Sequence, residues 1–139
     1  MINVICVHTT MALVEPLTKT FAELMPEVNV NHIADSSLIK EVIANNEVTP
    51  AVRRRLLAYY NAAADAGADV VFNTCSSVGD VADYGNTYAR IPVADGCHSH
   101  NNLTHYIRSF VYLIDDFVDT AFFVPDDSDG TEAVEDVGD

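Results

Sequence analysis

Three clusters of small polar residues stand out in this 139-residue chain: His8-Thr9-Thr10, Asp35-Ser36-Ser37 and Asn73-Thr74-Cys75-Ser76-Ser77. Each follows an apolar, β-rich run. Hydroxyls and free backbone N–H groups gathered at such strand ends suit a small carboxylate. Cys75 is the residue best suited to proton chemistry. It ends the strongest apolar run and stands just ahead of a helix start, where a thiol ionises more readily and can serve as base or nucleophile. The structural alternative is a small buried hydrophobe, and that reading is preferred for Cys6, which lies between Ile5 and Val7. Cys97, His98, His100 and His105 fit no zinc-ligand spacing and read as a solvated loop, so no metal is expected. Neither GxGxxG nor GxxxxGK[ST] occurs, which removes the main support for a nucleotide cofactor.

The elements that must position these residues alternate along the chain. Ile2–Val7, Val28–Ile33, Ala68–Asn73 and Arg90–Val93 read as strands. Between the first two, Val14, Leu17, Phe21, Leu24 and Met25 recur on one helical face, with Pro16 in the first turn and Pro26 as the stop. Asp35-Ser36-Ser37 offers N-cap oxygens to a helix carrying Leu38, Val42 and Ile43. Thr49-Pro50 opens another, with Val52, Leu56, Tyr59, Tyr60 and Ala63 on one side, Arg53, Arg54 and Arg55 largely off it, and Gly67 placed to end it in the left-handed conformation. A further helix starts within Ser76–Tyr84. Strands alternating with helices over short connections predict an α/β fold: an open, doubly wound sheet of about four mainly parallel strands flanked by helices.

Composition bounds the remaining possibilities. There are 7 basic and 21 acidic residues, for a net charge of −14. A surface this acidic repels phosphate backbones, so nucleic acid is not an expected partner. No apolar run is long enough for a membrane span, and the first residues carry no basic leader, so neither a membrane partner nor secretion is expected. Three scattered cysteines fit reduced thiols in the cytoplasm. Seven of the acids lie between Asp126 and Asp139 with no base among them, which predicts a disordered acidic tail. Leu103, Tyr106, Ile107, Phe110, Val111, Ile114, Phe117 and Val118 predict an amphipathic helix. The chain thus divides into an α/β domain over 1–95, a divergent segment over 96–125 and the tail over 126–139.

The VHTT segment after the first strand, DSSL after the second, TPAVRRRL and AGADVVFNTCSSVG leading to IPV resemble the aspartate/glutamate/hydantoin racemase superfamily over about residues 1–93. The resemblance implies one half of a two-domain enzyme, in which two α/β halves face each other across a cleft and each supplies a cysteine. It implies a cofactor-independent isomerase. One thiolate takes the proton α to a carboxylate or carbonyl, and the other thiol returns a proton on the opposite face. Carried over by position, Cys75 is the acid/base. Thr74, Ser76 and Ser77 hold the anion, His8, Thr9 and Thr10 line the cleft, and Asp35 and Ser36 are further substrate contacts. The substrate class is a small carboxylate or cyclic amide. Maleate isomerisation and malonate decarboxylation are sibling activities that these residues do not separate.

After IPV, the segment GCHSHNNLTHYIRSF departs from the family pattern, and Cys97 comes too early to be the second cysteine. The expectation is a truncated relative. Its alternative role is an inactive module that binds a small anion or forms a homodimer through Leu103–Val118.

Overall fold

In a computed structural model, residues 1–95 are described. They form four strands, β1 (Ile2–His8), β2 (Val28–Ala34), β3 (Val70–Asn73) and β4 (Val93–Asp95), and four α-helices, α1 (Val14–Leu24), α2 (Ser36–Asn45), α3 (Pro50–Asp65) and α4 (Gly79–Tyr88). The predicted segment over 96–125, its helix Leu103–Val118, the tail and the Cys97, His98, His100 and His105 group lie outside these residues.

The sheet is parallel throughout, in the order β2-β1-β3-β4, and the expected α/β class holds. β1 is central, and its side chains alternate between two cores. Ile5 and Val7 pack with Leu38, Leu56, Tyr60 and Val81, from α2, α3 and α4. Val4 and Cys6 pack with Leu17 and Phe21 of α1 and with Phe72. Burial on both faces explains why β1 reads as a continuous apolar run and not as an alternating one. Chain order also fixes where a ligand could enter. β1 continues through α1 outward to β2, whereas β3 continues through α4 outward to β4 on the opposite side. The carboxyl ends of β1 and β3 therefore flank the point where the winding reverses, the usual crevice of open α/β sheets.

Local chemistry sets the element ends. Asp35 caps α2, its carboxylate accepting from the Ser37 N–H at 2.9 Å, and Thr49 caps α3, its hydroxyl accepting from the Val52 N–H. Gly67 takes φ +86° just past α3, the left-handed stop that its lack of a Cβ permits.

Four expectations are corrected. Leu24 ends α1 exposed, although Met25 is buried as expected; Ile43 is 73% exposed, since Leu38 and Val42, one turn apart, already define the inner face of α2. β3 begins at Val70, not Ala68, because residues 66–68 close the α3 terminus with Gly67 and Ala68 N–H groups bonded back to Ala64 and Ala63 carbonyls. β4 begins at Val93, not Arg90. Pro92 has no N–H to give, Val93 pairs with Val71, and the Asn86 side chain holds the Val93 N–H and C=O, each at 2.7 Å. No helix of the described residues is long and apolar enough to cross a membrane.

Gly85 is where α4 meets α3 and β4 most closely. A Cβ there would lie 2.9 Å from two ring carbons of the buried Tyr60 and 3.2 Å from Val93 Cγ2. Overpacking of about 1–3 kcal/mol exceeds the helix-propensity gain of about 1 kcal/mol from alanine. Gly85→Ala is expected to lower the urea midpoint at unchanged m-value; an unchanged or higher midpoint would show that Tyr60 yields freely.

Candidate functional site

The strand ends converge as the spacing predicts, but they do different things. At β1, His8 and Thr9 are buried and Thr10 is half-buried. At β3, pairing with β1 runs one residue beyond the strand: the Thr74 N–H and hydroxyl both lie 3.2 Å from the Val7 carbonyl, and Thr74 Oγ1 is 2.9 Å from His8 Nδ1. Thr74 is thereby locked beside His8. Cys75 follows it, half-buried and with a free thiol. Its carbonyl accepts from the Val78 N–H at 3.3 Å, so a 3-10 turn over Ser76–Val78 intervenes before α4. The helix start expected within Ser76–Tyr84 falls at Gly79, so the turn separates Cys75 from α4. Ser77 is exposed.

Thr9, one residue past His8 as Cys75 is one past Thr74, is 1% exposed, and its hydroxyl finds no hydrogen-bond partner among the described residues. A buried hydroxyl without a partner is destabilising by about 1–3 kcal/mol. At a strand end by the crevice, such a group is suited to meet a ligand.

Asp35 is otherwise engaged. Its carboxylate accepts from the Ser37 N–H and Oγ, from Arg55 and from the Tyr59 hydroxyl. Arg55 also pairs with Glu41 at 3.5 Å, and Glu41 accepts from Thr49 at 2.6 Å. Burial raises the Asp35 pKa, but the bonds from Ser37, Tyr59 and Arg55 outweigh it and hold this acid well below the usual carboxylate range. Its oxygens bind α2 to α3. That saturation makes Asp35 a structural clasp with no oxygen to spare for a substrate; Ser36, beside it, is half-buried.

Sequence reasoning missed the partner of His8. His32 lies on β2 opposite Cys6, and Cys6 and His8 are two apart on β1, so parallel register puts all three on the α1 side of the sheet. The His8 and His32 rings stack at 5.1 Å, with His8 Nε2 2.9 Å from His32 Nδ1. Outward, His32 Nε2 lies 2.8 Å from Thr18 Oγ1, whose own proton goes to the Val14 carbonyl at 2.7 Å. Thr18 must therefore accept from His32. With no other proton between the rings, His8 Nε2 donates to His32 Nδ1 and Thr74 donates to His8 Nδ1. With both imidazoles neutral, as their burial favours, every hydrogen bond of the chain Thr74–His8–His32–Thr18 has its proton. Burial, then the charge of His32, draws His8 down to about 4; burial lowers His32 as well. Burial also pushes the Cys6 thiol up to about 12.

No family model, curated protein or solved structure matches this chain.

The histidine pair makes stability depend on pH in a defined direction. Folded His8 titrates below its unfolded value of about 6.5, so the unfolded state binds more protons between those values. Its contribution is complete above about pH 6.5 and is lost as pH falls toward 4, by up to about 1.4 kcal/mol per unit. Asp35 acts in a lower window, its contribution fading as pH drops below the ordinary 3.8. With EDTA present, the unfolding free energy should fall from pH 6.5 to 4, and His8→Gln should flatten that slope. An equal slope in both proteins would place the proton uptake elsewhere.

Proposed function

We propose that this domain is a cofactor-independent, racemase-like isomerase that uses Cys75 to move a proton at carbon α to a carboxylate or carbonyl. The single observation that carries the reading is the half-exposed thiol at the reversal point of the sheet, one residue beyond the locked Thr74–His8 contact. The ordered set VHTT, DSSL, TPAVRRRL and NTCSS supports it.

In the proposed step, the Cys75 thiolate takes the α-proton: the C–H bond breaks, an S–H bond forms, and the electron pair passes into the neighbouring carbonyl as an enolate-like anion. Donors fixed before reaction lower the energy of that anion without reorganising. Thr9, with its unpartnered hydroxyl, is the first candidate donor; Thr10 and Ser77 are others on the same edge, and the resemblance adds Ser76. Such local donors must outweigh the field of a chain carrying −14, which disfavours an approaching carboxylate. Return of the proton by the same sulfur gives solvent exchange with retention. Inversion needs a second acid on the opposite face. Among the described residues Cys6 cannot supply it, because it is buried within the sheet.

That lone edge thiol favours one further reading, in which the site binds a small anion without turnover. Both readings are separated by one experiment in deuterium oxide with aspartate, glutamate, a hydantoin and an arylmalonate. The enzyme reading predicts deuterium at the α-carbon, reduced roughly 10²–10⁴-fold in Cys75→Ala. Slower iodoacetamide labelling of Cys75 by the same compounds, without exchange, would replace it by the binding reading.

A further inference from the structure

We propose that Cys6, His8 and His32 form a binding site for a divalent transition-metal ion of the zinc class, on the α1 side of the sheet and separate from Cys75. One ligand atom from each lies within 4.8 Å of the others. The arrangement follows from the backbone. Alternation along β1 puts Cys6 and His8 on one face, and the parallel register sets His32 directly across from Cys6. Ligands on rigid, paired strands are preorganised, and thiolate with imidazole is the donor set that zinc and its analogues prefer.

The surroundings of the two rings argue for a cation as well. Metal-bound imidazoles commonly donate their outer N–H to a fixed acceptor. Here the outer nitrogens, His8 Nδ1 and His32 Nε2, each lie within 2.9 Å of a threonine hydroxyl. Each hydroxyl also has a backbone carbonyl to receive its own proton: Val7 for Thr74 and Val14 for Thr18. When both threonines donate to those carbonyls, both outer nitrogens carry the hydrogen, and the inner nitrogens turn two lone pairs toward each other. Only a proton or a cation can stand between them. The same side chains thus support two states that differ by the orientation of the Thr74 hydroxyl and one His8 tautomer.

The fit requires the three ligand atoms, now within 4.8 Å of one another, to draw around the ion. Zinc bonds of about 2.0–2.1 Å to nitrogen and 2.3 Å to sulfur place tetrahedral ligand atoms roughly 3.3–3.6 Å apart. The inner nitrogens, now 2.9 Å apart, need only separate slightly. Binding replaces the Cys6 S–H bond by a sulfur–metal bond and releases that proton to solvent. Cys6 and His8 are buried, whereas His32 is half-buried and Thr18 exposed, so an ion would enter past α1. Three protein ligands leave a fourth position for a small ligand.

The test is titration of the full, EDTA-treated chain with Co²⁺ under reducing conditions, followed by Zn²⁺ competition. One ion per chain with a thiolate-to-cobalt charge-transfer band is expected. The band should vanish in Cys6→Ser and persist in Cys75→Ser and Cys97→Ser. Thr18→Val, on the exposed side of α1, should keep the band and weaken binding roughly 10–100-fold. Circular dichroism establishes that each variant is folded; should Cys6→Ser unfold, His32→Gln is judged by loss of stoichiometric binding. The inference is overturned if wild-type protein gives no band, if the band survives loss of Cys6, or if it disappears with Cys75 or Cys97.

Discussion

The parallel pairing of β1 with both β2 and β3 is the constraint on which the rest of the molecule depends. It aligns His8 with Ala34 and Val7 with Asn73, so three chain segments end side by side. It also places His32 beside Cys6, within reach of His8, so the buried imidazole of β1 meets a polar neighbour across the sheet. A slip of one residue in β2 would turn His32 to the other face and leave His8 Nε2 buried without its partner. The hydrogen-bond chain from Thr74 to Thr18 therefore both depends on the register and helps to specify it.

Two polar centres flank β1, and they differ in character. The clasp of Asp35, Arg55, Tyr59 and Glu41 is built around the Asp35–Arg55 ion pair and ties helix α2 to helix α3. The histidine pair is neutral, ties β1 to β2 and α1, and reaches the surface only through His32 and Thr18. Charge is thus kept where water can screen it, while the interior of the sheet holds groups whose hydrogen bonds close on each other. Cys75 belongs to neither centre. It follows Thr74, so the rigidity of the neutral chain is passed to the backbone that presents the thiol.

Much of this was legible in the sequence because it is local. Hydrophobic runs located the strands, Asp35 and Thr49 declared their helices by capping chemistry, Gly67 declared a left-handed stop, and the hydroxyl-rich strand ends located the crevice. The relation of His32 to His8 was not legible, because register between strands is set by packing across the chain and leaves no local mark. The saturation of Asp35 was hidden for a similar reason: Arg55 and Tyr59 lie 20 and 24 residues away. From sequence, Asp35 shows only its cap, and its remaining oxygens look free. The start of β4 was misplaced because the contribution of Asn86, a side chain that pairs with Val93 like a strand, has no periodic signature.

The most direct test of the account is long-range ¹⁵N–¹H NMR of the imidazoles in EDTA-treated protein near neutral pH. Neutral rings with the hydrogen on Nε2 of both His8 and His32, and a signal linking Thr18 to His32, are predicted from the bonding pattern. Two rings that titrate independently, with no signal linking Thr18 to His32, would contradict the register and everything built on it.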